Sequence, residues 1–140
     1  IVPPAVSLGL TGTLPFGFVV IGIGSMAWVA GFDVLYATAD FKVDRAQGLH
    51  SIPARFGIPN ALIISRLLHA STVILLAIAG VVLEASTLYS IGVLAAGVLL
   101  AYEQSLVSSS DLSKLNMAFF TMNGVIAVVF GTFVVIGEII

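Results

Sequence analysis

The sequence predicts an all-α fold, a polytopic bundle of transmembrane helices, and three observations lead there. Only 9% of the 140 residues are charged while 59% are hydrophobic; soluble domains carry about 25% charged residues, so this chain cannot cover itself for water. The apolar residues gather in runs of roughly 20, the length of one helical crossing. The period-two alternation of a membrane barrel is absent, and helices of this length satisfy their own backbone in lipid. Mean hydropathy is +1.19. There is no cysteine, which removes disulfides, thiolate nucleophiles and cysteine metal sites. The net charge of −2 is too small to indicate a partner, and no nucleic-acid partner is expected.

The elements follow in order. Residue 1 is Ile, and "IVPPAVSLGLTG" is about half a span, so residues 1–12 read as the end of a truncated helix and the chain as a C-terminal half. A first full span is expected over 15–40, then a polar motif loop over 41–58. A second span covers 59–83, with Pro59 where a helix start tolerates proline. A third covers 88–105, and a fourth 115–136, with Ser110 or Asp111 placed to cap it. Lys42, Arg45, Arg55, Arg66 and Lys114 are the basic residues, and alternating spans put all five on one side. By the positive-inside rule that side is cytoplasmic, and the expected location is the plasma (inner) membrane.

The stretch "GFDVLYATADFKVD" concentrates the chemistry. At about 100° per residue, with Asp33 as zero, Tyr36 falls near 300°, Asp40 near 340° and Asp44 near 20°. A helix continued to Asp44 therefore gathers all four in an arc of about 80°. Asp40 and Asp44 rise about 6 Å apart, close enough to share one divalent ion or hold two neighbouring ones. Asp33 sits about 10 Å deeper, too far to join an ion whose ligands stand at about 2.1 Å. An aspartate within a span costs about 2.5–3.5 kcal/mol on insertion scales, so it faces a bundle interior or a wet cavity. Oxygen ligands without His or Cys select Mg²⁺ or Ca²⁺. Mg²⁺ takes one or two carboxylates and completes its shell with water and phosphate oxygens. Two aspartates at a membrane face thus suggest a phosphate-headed ligand with a greasy body.

"DVLYATADFKVD" resembles the second aspartate-rich motif, D-x-x-Y-x-x-x-D-x-x-x-D, of the UbiA superfamily of membrane prenyltransferases. "GLHSIPARFG" and "DLSKLNMAFFTMNG" are similar to its 4-hydroxybenzoate polyprenyltransferase-like branch. The resemblance implies the second half of a bundle of about nine spans, with one aspartate-rich motif per half around a central cavity. It implies Mg²⁺-dependent transfer of a polyprenyl group from its diphosphate to an aromatic acceptor such as 4-hydroxybenzoate, in quinone biosynthesis. Carried over by position, Asp40 and Asp44 are the metal ligands and catalytic residues, with Asp33 and Tyr36 lining the cavity. His50, Ser51 and Arg55 are candidate substrate-binding donors. The first motif, N-x-x-x-D-x-x-x-D, is absent, so the chain alone is expected to be inactive and to need the N-terminal half.

Other residues have plainer readings. Lys42 and Arg45 are expected to reach lipid phosphates. Arg66 snorkels, whereas His69 faces the bundle and hydrogen-bonds between helices. Asn116 with Asn123, and Gly124 with Gly131, are spaced for close packing of the last helix. The rival function is a membrane cation transporter or an ion-binding assembly subunit. A transporter should carry acids near mid-membrane in several spans, whereas the central parts of the last three spans contain none.

Overall fold

The computed structural model describes residues 9–140. The helix end expected over 1–12 therefore lies mostly outside the described residues. Helix α1 is Phe16–Ala37, followed by a 3₁₀ turn Thr38–Asp40 and a short α2, Phe41–Ala46. Then come α3 (Ile52–Phe56), α4 (Ile58–Val82) and α5 (Thr87–Ser105). A π-helical segment, Met117–Met122, leads into α6, Asn123–Ile139. Four stretches among the described residues are long and apolar enough to cross a membrane: Phe16–Ala46, Ile58–Val82, Thr87–Ser105 and Met117–Ile139. The protein is an all-α integral membrane bundle.

Local chemistry sets the boundaries. Ser51 accepts from the Ala54 amide and starts α3, and Ser86 accepts from Tyr89 N and starts α5; both act as N-caps. Gly57 separates α3 from α4 at φ 85°, a left-handed conformation that strains any residue with a Cβ. The segment expected as a polar loop over 41–58 is thus largely helical, as two short pieces around residues 47–51. Ser110 and Asp111 do not cap the last helix. The Asp111 carboxylate instead accepts from Ser113 N at 2.9 Å, and Ser108 and Asp111 exchange backbone hydrogen bonds of 3.0 and 3.1 Å. This closes a tight turn before the π segment.

Packing follows a seam of small residues, since lipid leaves no hydrophobic drive between helices and close contact must supply it. Gly17, Gly24 and Gly31 recur every seven residues on α1 and face α4. A Cβ at Gly31 would overlap the His69 ring, and one at Gly17 would overlap Leu83. At the far end of α4 and α5, the Tyr89 hydroxyl donates to Leu76 O at 2.9 Å. Gly124 and Gly131, expected to pack, have open space where a Cβ would be. Their spacing is that of a packing face, but α6 turns another stripe, including buried Ile126, toward α1 and α5.

Candidate functional site

The aspartate-bearing stretch is one rod, Phe16–Ala46, broken in register by the 3₁₀ turn. Thr38 is buried and its hydroxyl donates to Leu35 O at 2.6 Å. That short i−3 bond suits the tighter turn and competes with the regular helix ladder. Three residues advancing about 120° instead of 100° rotate Asp40 and Asp44 by about 60° relative to Asp33 and Tyr36. The arc from Tyr36 to Asp44 therefore widens to roughly 140° rather than 80°. The pair Asp40 and Asp44 stays one turn apart, and Asp33 is set off from it by angle as well as depth.

Asp33 and Asp40 are exposed and Asp44 is half-buried. None of their three carboxylates forms a hydrogen bond or ion pair with a described residue. No group of three acidic or histidine side chains capable of holding a metal occurs among the described residues. Two free carboxylates one turn apart nevertheless match what Mg²⁺ asks of a protein when phosphate and water supply the rest. The donor set fits as a partial site.

Tyr36 is half-buried against the π segment. Its ring lies 4.4 Å from Phe119, tilted 30°, and 5.9 Å from Phe120 at 78°. Phe32 meets Phe119 edge-on at 6.1 Å. The wider i→i+5 turn lets two successive phenylalanines reach the same partner, and such segments recur at functional sites. These rings were not legible as partners of Tyr36, since they lie more than 80 residues away and nothing local links them.

Beyond Asp44, the structure brings Arg45, His50 and Arg55 around an open cleft of about 440 Å³. Two guanidiniums and an imidazole suit an anion with phosphate geometry. The same guanidiniums lie over the rings of Phe41 and Phe56, at 5.7 and 5.5 Å. Ser51 does not line this cleft; its hydroxyl caps α3. Arg45, read from sequence as a lipid contact, joins the candidate donors.

Behind the aspartates lies a second polar group that sequence reasoning reached only through His69. Gln104 Nε2 donates to Ser65 Oγ (2.9 Å) and pairs with His69 Nδ1 (3.0 Å), while Ser65 donates to Gly31 O at 2.7 Å. Phe32 packs edge-on against the His69 ring at 4.9 Å. The hydrogen bonding expected of His69 is present and ties α4 to α5, with Ser65 extending it to α1. Glu103 is fully buried, 3.9 Å from His69 Nδ1, beyond hydrogen-bond reach, and neither of its oxygens has a partner among the described residues. An acid near the end of an apolar span was the available signal.

Comparison with curated proteins and with solved structures returns no match. A family model does match, and its description is the UbiA prenyltransferase family, over residues 1–137. Members of that family are membrane prenyltransferases acting on prenyl diphosphates and generally using Mg²⁺. The match takes in the rod with its unpaired aspartates, the aromatic contacts of the π segment and all four spans. On this evidence the chain belongs to the UbiA prenyltransferase family.

Proposed function

We propose that this chain supplies one jaw of a Mg²⁺-dependent site that moves a polyprenyl group from its diphosphate to an aromatic acceptor such as 4-hydroxybenzoate, in quinone biosynthesis. The observation that carries this reading is the pair of unpartnered carboxylates, Asp40 and Asp44, beside the cationic cleft of Arg45, His50 and Arg55. Family membership leaves the cation transporter and assembly-subunit readings without support.

In this reading Asp40 and Asp44 hold Mg²⁺, which when bound offsets charge on the leaving diphosphate. Arg45, His50 and Arg55, which line the neighbouring cleft, would donate hydrogen bonds to diphosphate oxygens. These contacts strengthen as the bridging C–O bond breaks and its electron pair departs with diphosphate. A ring carbon of the acceptor, made electron-rich by its hydroxyl, forms the new C–C bond to the allylic carbon. Loss of one ring proton then restores aromaticity. Tyr36, held by Phe119 and Phe120, presents an aromatic wall near this centre, and Asp33 lies deeper as a polar contact of the cavity. The basic residues gather at this end of the spans, so the site faces the cytoplasm, in the plasma membrane, under the positive-inside rule.

The site also needs the first aspartate-rich motif of the family, N-x-x-x-D-x-x-x-D, which these 140 residues do not contain. Activity is therefore expected only when a half carrying N-x-x-x-D-x-x-x-D is present. The test is a prenyl-transfer assay of the enzyme with both motifs against a panel of aromatic acceptors, with Asp40→Ala and Asp44→Ala beside it. The hydroxybenzoate is expected to be the preferred acceptor, and each variant to lose turnover. Unchanged turnover in both variants would remove these residues from the metal site. Transfer by residues 1–140 alone would refute the two-motif requirement.

A further inference from the structure

Helices α1 and α4 pack closely, as do α5 and α6, but the seam between α4 and α5 is more open. Two clefts lie on it. One, of about 390 Å³, is lined by Arg66, Val73, Gly97 and Gln104 among others. The second, of about 500 Å³, is lined by residues including Gly80, Val81, Ser90 and Leu94. On α4 the lining positions run 66, 69, 70, 73, 77, 80 and 81, and on α5 89, 90, 93, 94, 97, 100, 101 and 104. At about 100° per residue these positions fall within an arc of about 120° on α4 and about 140° on α5, so the clefts are two parts of one groove. From Arg66 to Val81 it extends about 22 Å at 1.5 Å per residue. Neither the aspartates nor Tyr36 line it.

The two ends of this groove differ. Arg66 is exposed at one end and makes no hydrogen bond or ion pair with a described residue. Gln104 beside it is only 8% exposed, its amide nitrogen is committed to Ser65 and His69, and its Oε1 is buried without a partner. That end therefore holds an exposed cation without a described partner and, buried just beside it, an orphan acceptor; their complement is an anion carrying a hydroxyl. Glu84 stands at the other end and disfavours an anion there. The walls between are small or apolar. Helix α4 has 25 residues, about 37 Å, against a hydrocarbon core of about 30 Å. Arg66, eight residues from its start, can thus snorkel to the level of lipid phosphates.

We propose that the α4–α5 groove binds one anionic glycerophospholipid with a hydroxyl-bearing headgroup. Its phosphate pairs with Arg66, a headgroup hydroxyl donates to Gln104 Oε1, and one acyl chain lies along the groove past Val73 and Gly97. This site is independent of the prenyl-transfer reading and of the aspartates.

Native mass spectrometry of the full-length protein tests it, with phosphatidylglycerol and phosphatidylcholine of matched chains offered in equal amounts. Phosphatidylglycerol should be retained at least five-fold over phosphatidylcholine. Arg66→Leu should abolish that preference and Arg66→Lys should keep most of it, a contrast that loss of folding cannot mimic. Gly97→Leu, which puts a side chain into the groove, should reduce retention of both lipids. Equal retention of the two lipids by the unsubstituted protein, or an undiminished preference in Arg66→Leu, would overturn the proposal. So would a lipid-free dimer, which would make a second copy the occupant.

Discussion

Two polar regions lie within a few turns of each other along the Phe16–Ala46 rod, and they are built on different terms. At Gly31, the side chains of Ser65, His69 and Gln104 close on the helix and are tied by three hydrogen bonds, with Gln104 Oε1 and His69 Nε2 left over. From Asp33 to Asp44, three carboxylates form no hydrogen bond or ion pair with a described residue. The first arrangement stabilises, since a buried donor left unmade costs about 1–3 kcal/mol. The second contributes nothing to the fold and leaves its ligand capacity for something outside it. Where a membrane protein spends polar groups without pairing them, function is the better explanation.

Substitutions should separate the two regions cleanly. Asp40→Asn and Asp44→Asn should each lower prenyl transfer by about 10²–10³-fold, the usual scale for losing one electrostatic contact to a reacting centre. Their melting temperatures in detergent should not move, because no described residue depends on those carboxylates. A matching drop in melting would mean that the aspartates are structural, and the contrast would fail. Gly31→Leu should do the reverse. Its side chain cannot fit beside His69, and overpacking a tight contact costs about 1–3 kcal/mol or more. Gly124→Leu, at an open position, is the control and should melt like the parent; equal losses in the two would remove the glycine seam from α1.

Much of this contrast could be read from residues alone, and the unreadable part has a definite cause. Composition and run length sufficed for the fold class, because a membrane constrains backbone hydrogen bonding so strongly. The D-x-x-Y-x-x-x-D-x-x-x-D spacing pointed to the family that the match over 1–137 shows. The 60° register change did not follow from spacing, because Thr38 reads as an ordinary helical residue until its hydroxyl is seen bonded to Leu35 O. Gly17, Gly24 and Gly31 show the seven-residue repeat of a packing seam, yet so do Gly124 and Gly131. Only the neighbours tell a close approach from an open face. Phe119, Phe120 and Gln104 reach their partners across the bundle, so no local pattern announces them.

The interior region can be probed more gently. Gln104→Leu removes the donor to Ser65 Oγ and to His69 Nδ1 while keeping most of the side-chain volume. Interhelical hydrogen bonds in membrane proteins average about 0.6 kcal/mol, with larger cases near 1.7. A loss of about 1 kcal/mol in unfolding free energy is expected, measured by denaturation in mixed micelles. Catalysis should change far less than in the aspartate variants. A loss of activity as large as theirs would show that the buried group acts on the site and is not only a tie between helices.

The finest test uses a carboxylate that is exposed like Asp33 and Asp40 but partnered unlike them. Asp111 lies in the turn before the π segment, where the Ser113 side chain and backbone N–H hold its carboxyl below the usual 3.8, with Lys114 adding to the effect. A carboxyl depressed in the folded state binds its proton more weakly than in the unfolded chain. Its contribution is therefore present above about pH 4 and is lost as pH falls through the folded value. Full exposure lets water screen these contacts, so the effect on stability is small. Carboxyl-carbon NMR in micelles should place the Asp111 midpoint below 3.8, and Ser113→Ala should move it back toward that value. A midpoint at or above 3.8 in the parent would show that the turn does not hold the charge. It would also weaken the claim that partnered and unpartnered aspartates behave differently on this face.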